Sequence, residues 1–172
     1  LDDWQLPGGG FRHRRPAPAH LLADANAALI RAVLRAGPLL GQKDLALRHA
    51  VAAARAQWRL IDADGRVRHA EDAETPAGLL RDQVLTALAL HDVAQQSGID
   101  SFAVVARRVR AWTQTHLWDE DRGAYADSPA RDWPSNWQPH ADVSDSRYLS
   151  GQALAVEDLL AQGDSTRARR PT

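Results

Sequence analysis

Two aspartates, Asp24 and Asp82, each lie near the start of a stretch with helical apolar spacing, 58 positions apart (82 − 24). General acid–base work on a sugar needs two titratable groups that converge on one pocket, in environments that separate their pKa values. Carboxylates at the starts of two similar helices would face the same cavity, so Asp24 and Asp82 are the candidate catalytic pair. The structural reading of the same residues is that each aspartate interacts with the dipole of its own helix. Next to Asp82, the run Arg81-Asp82-Gln83 interrupts an apolar helix at its N-terminal end, where free backbone N–H groups favour anions or hydroxyl-rich ligands. Loop histidines His69 and His140 are candidate ligand contacts, as are Trp133 and Trp137 in DWPSNWQPH, whose setting suits sugar stacking and loop packing equally.

Metal chemistry is not expected. The chain has no cysteine, its seven histidines show no His-x-x-x-His spacing, and DADGR and DEDRG lack the twelve-residue calcium pattern with its terminal glutamate. Turn formation accounts for both acidic loops. His91 and His116 read as helix-surface residues, and Gly8-Gly9-Gly10, with no strand before it, reads as a flexible turn rather than a phosphate loop. No cofactor is implied.

These candidates need helices to position them. The apolar spacing predicts five, near 19–36, 44–60, 76–97, 101–118 and 151–162, with no sheet beyond short hairpins. Gly37-Pro38 should stop the first, Thr75-Pro76 should open the third, and Ser97-Gly98 should close it. The third helix, within 78–98, has so wide an apolar sector that it should be buried on several sides. Residues 1–18 carry proline, a glycine triplet and an Arg/His cluster without periodicity and read as a lead-in; 165–172 read as a basic tail.

The pieces between, 19–164, repeat. Asp62 and Asp119 lie 57 positions apart (119 − 62) in similar loops, matching the Asp24 to Asp82 spacing. The unit is an apolar helix, a glycine-bearing turn, an amphipathic helix and a long Asp-rich loop, which implies a helical array or closed ring. In that order, RRPAP, LADANAALIRAVLRAGPLLG, DGRVRHA, GLLRDQVLTALALHDVAQQSG, LWDEDRGAYADSP and Ser150-Gly151 resemble the C-terminal half of thioredoxin-domain-containing proteins of the spermatogenesis-associated type. The resemblance implies an all-α fold, an α/α toroid of the six-hairpin type related to N-acylglucosamine 2-epimerases, of which this chain would hold roughly three hairpins. In such toroids the polar positions of the inner helices line a central pocket, which implies substrate-binding roles for Asn26 and Gln83. Ala25 and Gln83 stand where the family has tryptophan and tyrosine, which removes stacking surface for a sugar ring. Two functions follow as expectations: a non-catalytic or weakly active module of a thioredoxin-domain-containing protein with a possible carbohydrate-binding cavity, or an epimerase-like or glycosidase-like enzyme domain.

Composition narrows the partners. A net charge of −1 over 172 residues argues against a general nucleic-acid binder, and no apolar run approaches a membrane span. No signal peptide is visible, so a cytoplasmic location is expected. Half of a ring leaves its terminal helices short of one neighbour each. Leu21, Leu29 and Val33 at one end, and Leu154, Val156 and Leu159 at the other, are expected to present apolar faces. The remainder of a longer polypeptide, or a second copy, would cover them and the flanks of helix 78–98.

Overall fold

A computed structural model describes residues 5, 8–11, 21–71, 76–129 and 151–163. Five helices pack together: α1 (Ala23–Leu39), α2 (Lys43–Trp58), α3 (Leu80–Ser97), α4 (Asp100–Leu117) and α5 (Gly151–Ala161). Short links through Leu40–Gly41–Gln42 and Gly98–Ile99 force α1 against α2 and α3 against α4 as antiparallel neighbours. The two-residue strands β1 (Trp118–Asp119) and β2 (Ala124–Tyr125) form one small hairpin.

The third helix organises the rest. It touches all four other helices, and residues 82–90 are buried without a break. The chain therefore buries this helix itself, against the expectation of uncovered flanks. Alanines let α2 approach closely: Ala46, Ala50, Ala53, Ala54 and Ala56 are buried, whereas Leu45 is exposed. Gly37 serves the same approach from α1, since a Cβ there would lie 2.3 Å from that of Ala46. From α4, Phe102, Val105, Val109 and Trp112 enter the core, while Val104 faces solvent at 52% exposure.

Helix ends differ from the expected ones for backbone reasons. The first helix begins at Ala23 because Leu22 pairs with Ala70 and the Ala23 N–H is bonded to the His69 carbonyl at 2.8 Å. It runs through Gly37-Pro38 to Leu39, since a proline in the last turn forfeits a single helical donor. The third begins at Leu80 because Pro76 and Gly78 are used in extended pairing, His69 N–H to Pro76 O at 2.9 Å and Gly78 N–H to Val67 O at 2.8 Å. At φ +78°, Gly78 also lies where a Cβ would strike the Trp112 ring. Thr75, the expected cap, lies outside the described residues, as does the 165–172 tail.

The period seen in the sequence is present in the backbone. From Ala23 to Leu80 is 57 positions (80 − 23), and both helix-opening N–H groups are bonded at 2.8 Å to a loop carbonyl 46 or 47 residues downstream, His69 and Asp127 respectively (69 − 23, 127 − 80). The hairpin after α2 pairs Ile61 with Val67, and the one after α4 pairs Trp118 with Tyr125. A third instance lies in the stretch read as a lead-in. Gln5 pairs with Phe11, Phe11 is buried, and Gly9 at φ +99° sits against the Ala52 carbonyl as Gly65 at φ +102° sits against that of Arg108. The glycine triplet is thus a packed turn, not a flexible one.

The ends of the row also depart from expectation. Leu21, Val33, Leu154 and Leu159 are buried, and Leu29 and Val156 are half-buried. Among the described residues the large exposed apolar ones are Leu39 and Leu40 at the α1–α2 turn, Leu45, Val104 and Leu160.

Candidate functional site

The loop from Leu60 to Gly78 is what brings the chemical groups together. Asp64 accepts the Arg66 N–H and Gly65 closes the turn, so the chain reverses and lays residues 67–70 between the starts of α1 and α3. His69 is held there by both backbone bonds, to Ala23 and to Pro76. Its imidazole reaches over the first turn of α3, where Nδ1 lies 3.0 and 3.2 Å from the two oxygens of Asp82. Asp24, in the first turn of α1, completes the group, with ligand atoms of Asp24, His69 and Asp82 all within 4.8 Å of one another.

The two carboxylates do different work. Asp82 is 1% exposed, and besides His69 it accepts the backbone N–H of Asp24, so it caps the start of the neighbouring helix. No side chain of its own caps α1: the residue before it is Leu22. Asp24 is half-buried, with one oxygen on the Ala25 N–H at 2.6 Å and the other on Arg81 Nε at 3.1 Å. Burial pushes the Asp82 carboxyl above its ordinary value, although the bond from His69 pulls it back in part. His69 is raised above 6.5, chiefly by its bond to Asp82 against the opposing effect of its own burial.

The geometry yields a charge-coupled dyad whose outer member, His69, keeps 31% of its side-chain surface exposed. For a cation the two carboxylates and the imidazole are suitable ligands, whereas the positive ends of two helices and the guanidinium of Arg81 oppose it.

The other candidates from the sequence fall elsewhere. Asn26 is 1% exposed and spends its amide inside the protein, accepting from Phe11 N–H at 3.0 Å and donating to Gln57 Oε1 at 2.7 Å. Gln83, fully buried, accepts from Val67 N–H at 2.8 Å. Both therefore clasp the hairpin that precedes their helix, and neither faces solvent. Trp133, Trp137 and His140 lie outside the described residues. His116 stacks on Trp112 at 4.4 Å, and His91 is half-buried on α3.

Sequence reasoning did not find the polar ties between helices. Gln57 of α2 donates to Thr86 of α3 at 2.8 Å and to the Ala23 carbonyl at 3.1 Å. Arg31 of α1 binds Asp92 of α3 at 2.9 Å and Glu157 of α5 at 2.5 Å, which holds Glu157 below its ordinary value. Arg110 of α4 forks onto Asp158 of α5, with Nε 2.9 Å from both carboxylate oxygens. One signal was available: Asn26 and Gln83 are 57 positions apart (83 − 26), the repeat spacing, and each is the fourth residue of its helix. A cavity of about 330 Å³ opens between α3, α4 and α5, lined in part by Arg107, Gln114 and Tyr125. Neither His69 nor Asp82 lines it.

No helix among the described residues is long and apolar enough to cross a membrane. No protein-family model matches this chain, and no curated protein is significantly similar to it.

Proposed function

We propose that the chain is a section of an α/α array of the six-hairpin toroid type, a non-catalytic or weakly active module whose rim at His69, Asp82 and Asp24 binds a hydroxyl-rich ligand of the sugar class. The carrying observation is the convergence of these three groups, from two successive helix starts and the loop between them, within 4.8 Å. The same geometry argues against turnover. Epimerisation and glycoside hydrolysis each need two groups that reach the substrate. Here Asp82 is buried behind His69, and the oxygens of Asp24 are engaged by Arg81 and Ala25. His69 alone is placed to exchange a proton with a bound molecule, so Asp82 positions the imidazole.

The alternative reading, an epimerase-like or glycosidase-like domain, is favoured by the raised pKa of a half-exposed histidine beside a second carboxylate. Placement within a thioredoxin-domain-containing polypeptide belongs to this proposal and rests on the sequence resemblance. Calorimetric titration with glucose- and mannose-type sugars, run beside an epimerisation assay, tests both readings. The module reading expects weak binding that His69→Gln abolishes and no turnover. Turnover lost in both His69→Gln and Asp24→Asn would replace it with the enzyme; no binding and no turnover would sink both.

A further inference from the structure

Helices α2 and α4 occupy equivalent places in the repeat and carry different chemistry on one corresponding strip. Gly9 sits on the Ala52 carbonyl and Gly65 on that of Arg108, so the two helices correspond at a spacing of 56 (108 − 52). On α2 the strip is Leu47, Val51, Ala54 and Trp58, an apolar seam. Ala54 is buried, the other three pack against the core, and Trp58 meets Phe102 of α4 with ring centroids 6.0 Å apart. On α4 the same positions are Ala103, Arg107, Arg110 and Gln114. The apolar seam has become three polar side chains, and these three line the cavity of about 330 Å³ between α3, α4 and α5. A space of this size is within the range of small-molecule sites.

The rest of the lining is apolar or already spent. Val84 and Ala87 of α3 and Ala155 and Leu159 of α5 are buried and give the cavity an apolar side. Asp158 also lines it, but its carboxylate accepts the Arg110 fork on both oxygens and the Gln162 amide at 2.9 Å. Arg110 uses Nε and Nη2 for that fork, which leaves Nη1. Gln114 spends its oxygen on the Tyr125 hydroxyl at 2.9 Å, which leaves its amide NH₂. Arg107 is exposed and has no ion-pair or hydrogen-bond partner among the described residues. The polar groups still on offer from α4 are therefore all donors, and the positive charge of Arg107 is the uncompensated one, since Arg110 and Asp158 cancel.

We propose that this cavity binds a small organic carboxylate, with its charged end on Arg107 and Gln114 and its apolar body against Val84, Ala87 and Leu159. A guanidinium matches a carboxylate in charge and in planar shape, and the neighbouring amide adds a third donor direction. The apolar side gives a bare inorganic anion nothing to cover, so the site favours an anion that carries a hydrocarbon body. The same lining speaks against a packed helix as the occupant, because an apolar helix face laid over Arg107 would bury its charge unpaired. The site shares no residue with the rim at His69, Asp82 and Asp24, and the proposal stands whether or not that rim binds a ligand.

Titration of the isotopically labelled 172-residue chain with benzoate, followed by nuclear magnetic resonance, tests it, with benzamide and inorganic phosphate run alongside. Benzoate is expected to bind saturably and to shift the amide signals of Arg107, Ala111 and Gln114. Benzamide keeps the body without the charge and phosphate keeps a charge without the body, so each should bind about tenfold more weakly or worse. Arg107→Gln should weaken benzoate by a similar factor, with helicity by circular dichroism unchanged because the residue is exposed. Ala111→Trp, at an exposed position on the cavity wall, should block binding by filling the space. No saturable binding of benzoate overturns the proposal, and so does benzamide or phosphate binding equally well, or a benzoate affinity that neither variant changes.

Discussion

The junction between α1 and α3 and the junction between α3 and α5 are built on one backbone plan and carry different chemistry. In both, a hairpin glycine turns the chain, a loop carbonyl receives the first N–H of the earlier helix, and a side-chain amide of the later helix holds the hairpin. At the first junction the loop also delivers His69 onto buried Asp82, with Asp24 and Arg81 alongside. At the second the loop residue in the same place is Asp127, and the helix start is Gly151 packed on Leu80. Among the described residues the scaffold is repeated and the titratable cluster is not, so the parts that maintain the fold can be disturbed separately from the parts that carry charge.

The largest effect is expected at the shared turn. Gly65→Ala puts a Cβ 2.4 Å from the Arg108 carbonyl at a φ of +102° and should destabilise by on the order of 3 kcal/mol, from backbone strain and overpacking together. Gly123→Ala, with nothing within 4 Å of its Cβ, keeps the strain without the clash and should cost less in urea unfolding. Equal losses would break the claim that the first turn is packed onto its helix and the second is not.

Next come the amide clasps. Gln83→Leu strands a buried Val67 N–H and should cost about 1–3 kcal/mol. Gln152→Leu should cost less, because Tyr125 is half-buried and water can replace the lost partner. A reversed order would show that the two junctions do not share this device.

At the first junction the pH dependence comes from His69 and Asp82. His69 is raised above 6.5, so its contribution is complete below 6.5 and is lost as pH rises through the folded-state value. Asp82 is raised above 3.8 by burial, so the folded state again holds its proton more firmly, and stability again falls as pH climbs. The signs agree. Thermal unfolding temperatures should fall as pH rises past 6.5, and His69→Gln should flatten that profile. The smallest effect is expected for Asp24→Asn: its ion pair with partly exposed Arg81 is worth less than about 1 kcal/mol, measurable as a small shift in the urea midpoint.

Apolar spacing located all five helices, because each buries a face wide enough to impose its period on the sequence. The spacing of Asp24, Asp62, Asp82 and Asp119 showed the repeat. Its first hairpin, around Gly9 and Phe11, escaped notice because a packed turn and a flexible one use the same glycines, and what separates them is the Ala52 backbone, 43 residues away (52 − 9). Asp24 and Asp82 were legible as a pair, since helix starts are visible in sequence. That Asp82 caps its neighbour was not, because a carboxylate accepting the N–H of another helix leaves no local pattern. For the same reason Asn26 and Gln83 suggested ligand contacts from sequence, while their partners, Phe11 and Val67, are distant enough in the chain to be seen only in the fold.

The account turns on the coupling of His69 to Asp82 across the starts of two helices. A titration of the His69 imidazole by nuclear magnetic resonance, in the wild type and in Asp82→Asn, measures that coupling directly. The account predicts a wild-type midpoint above 6.5 that falls in the variant, with the slower-exchanging ring proton on Nδ1. A wild-type midpoint at or below 6.5 that Asp82→Asn leaves unmoved would contradict it.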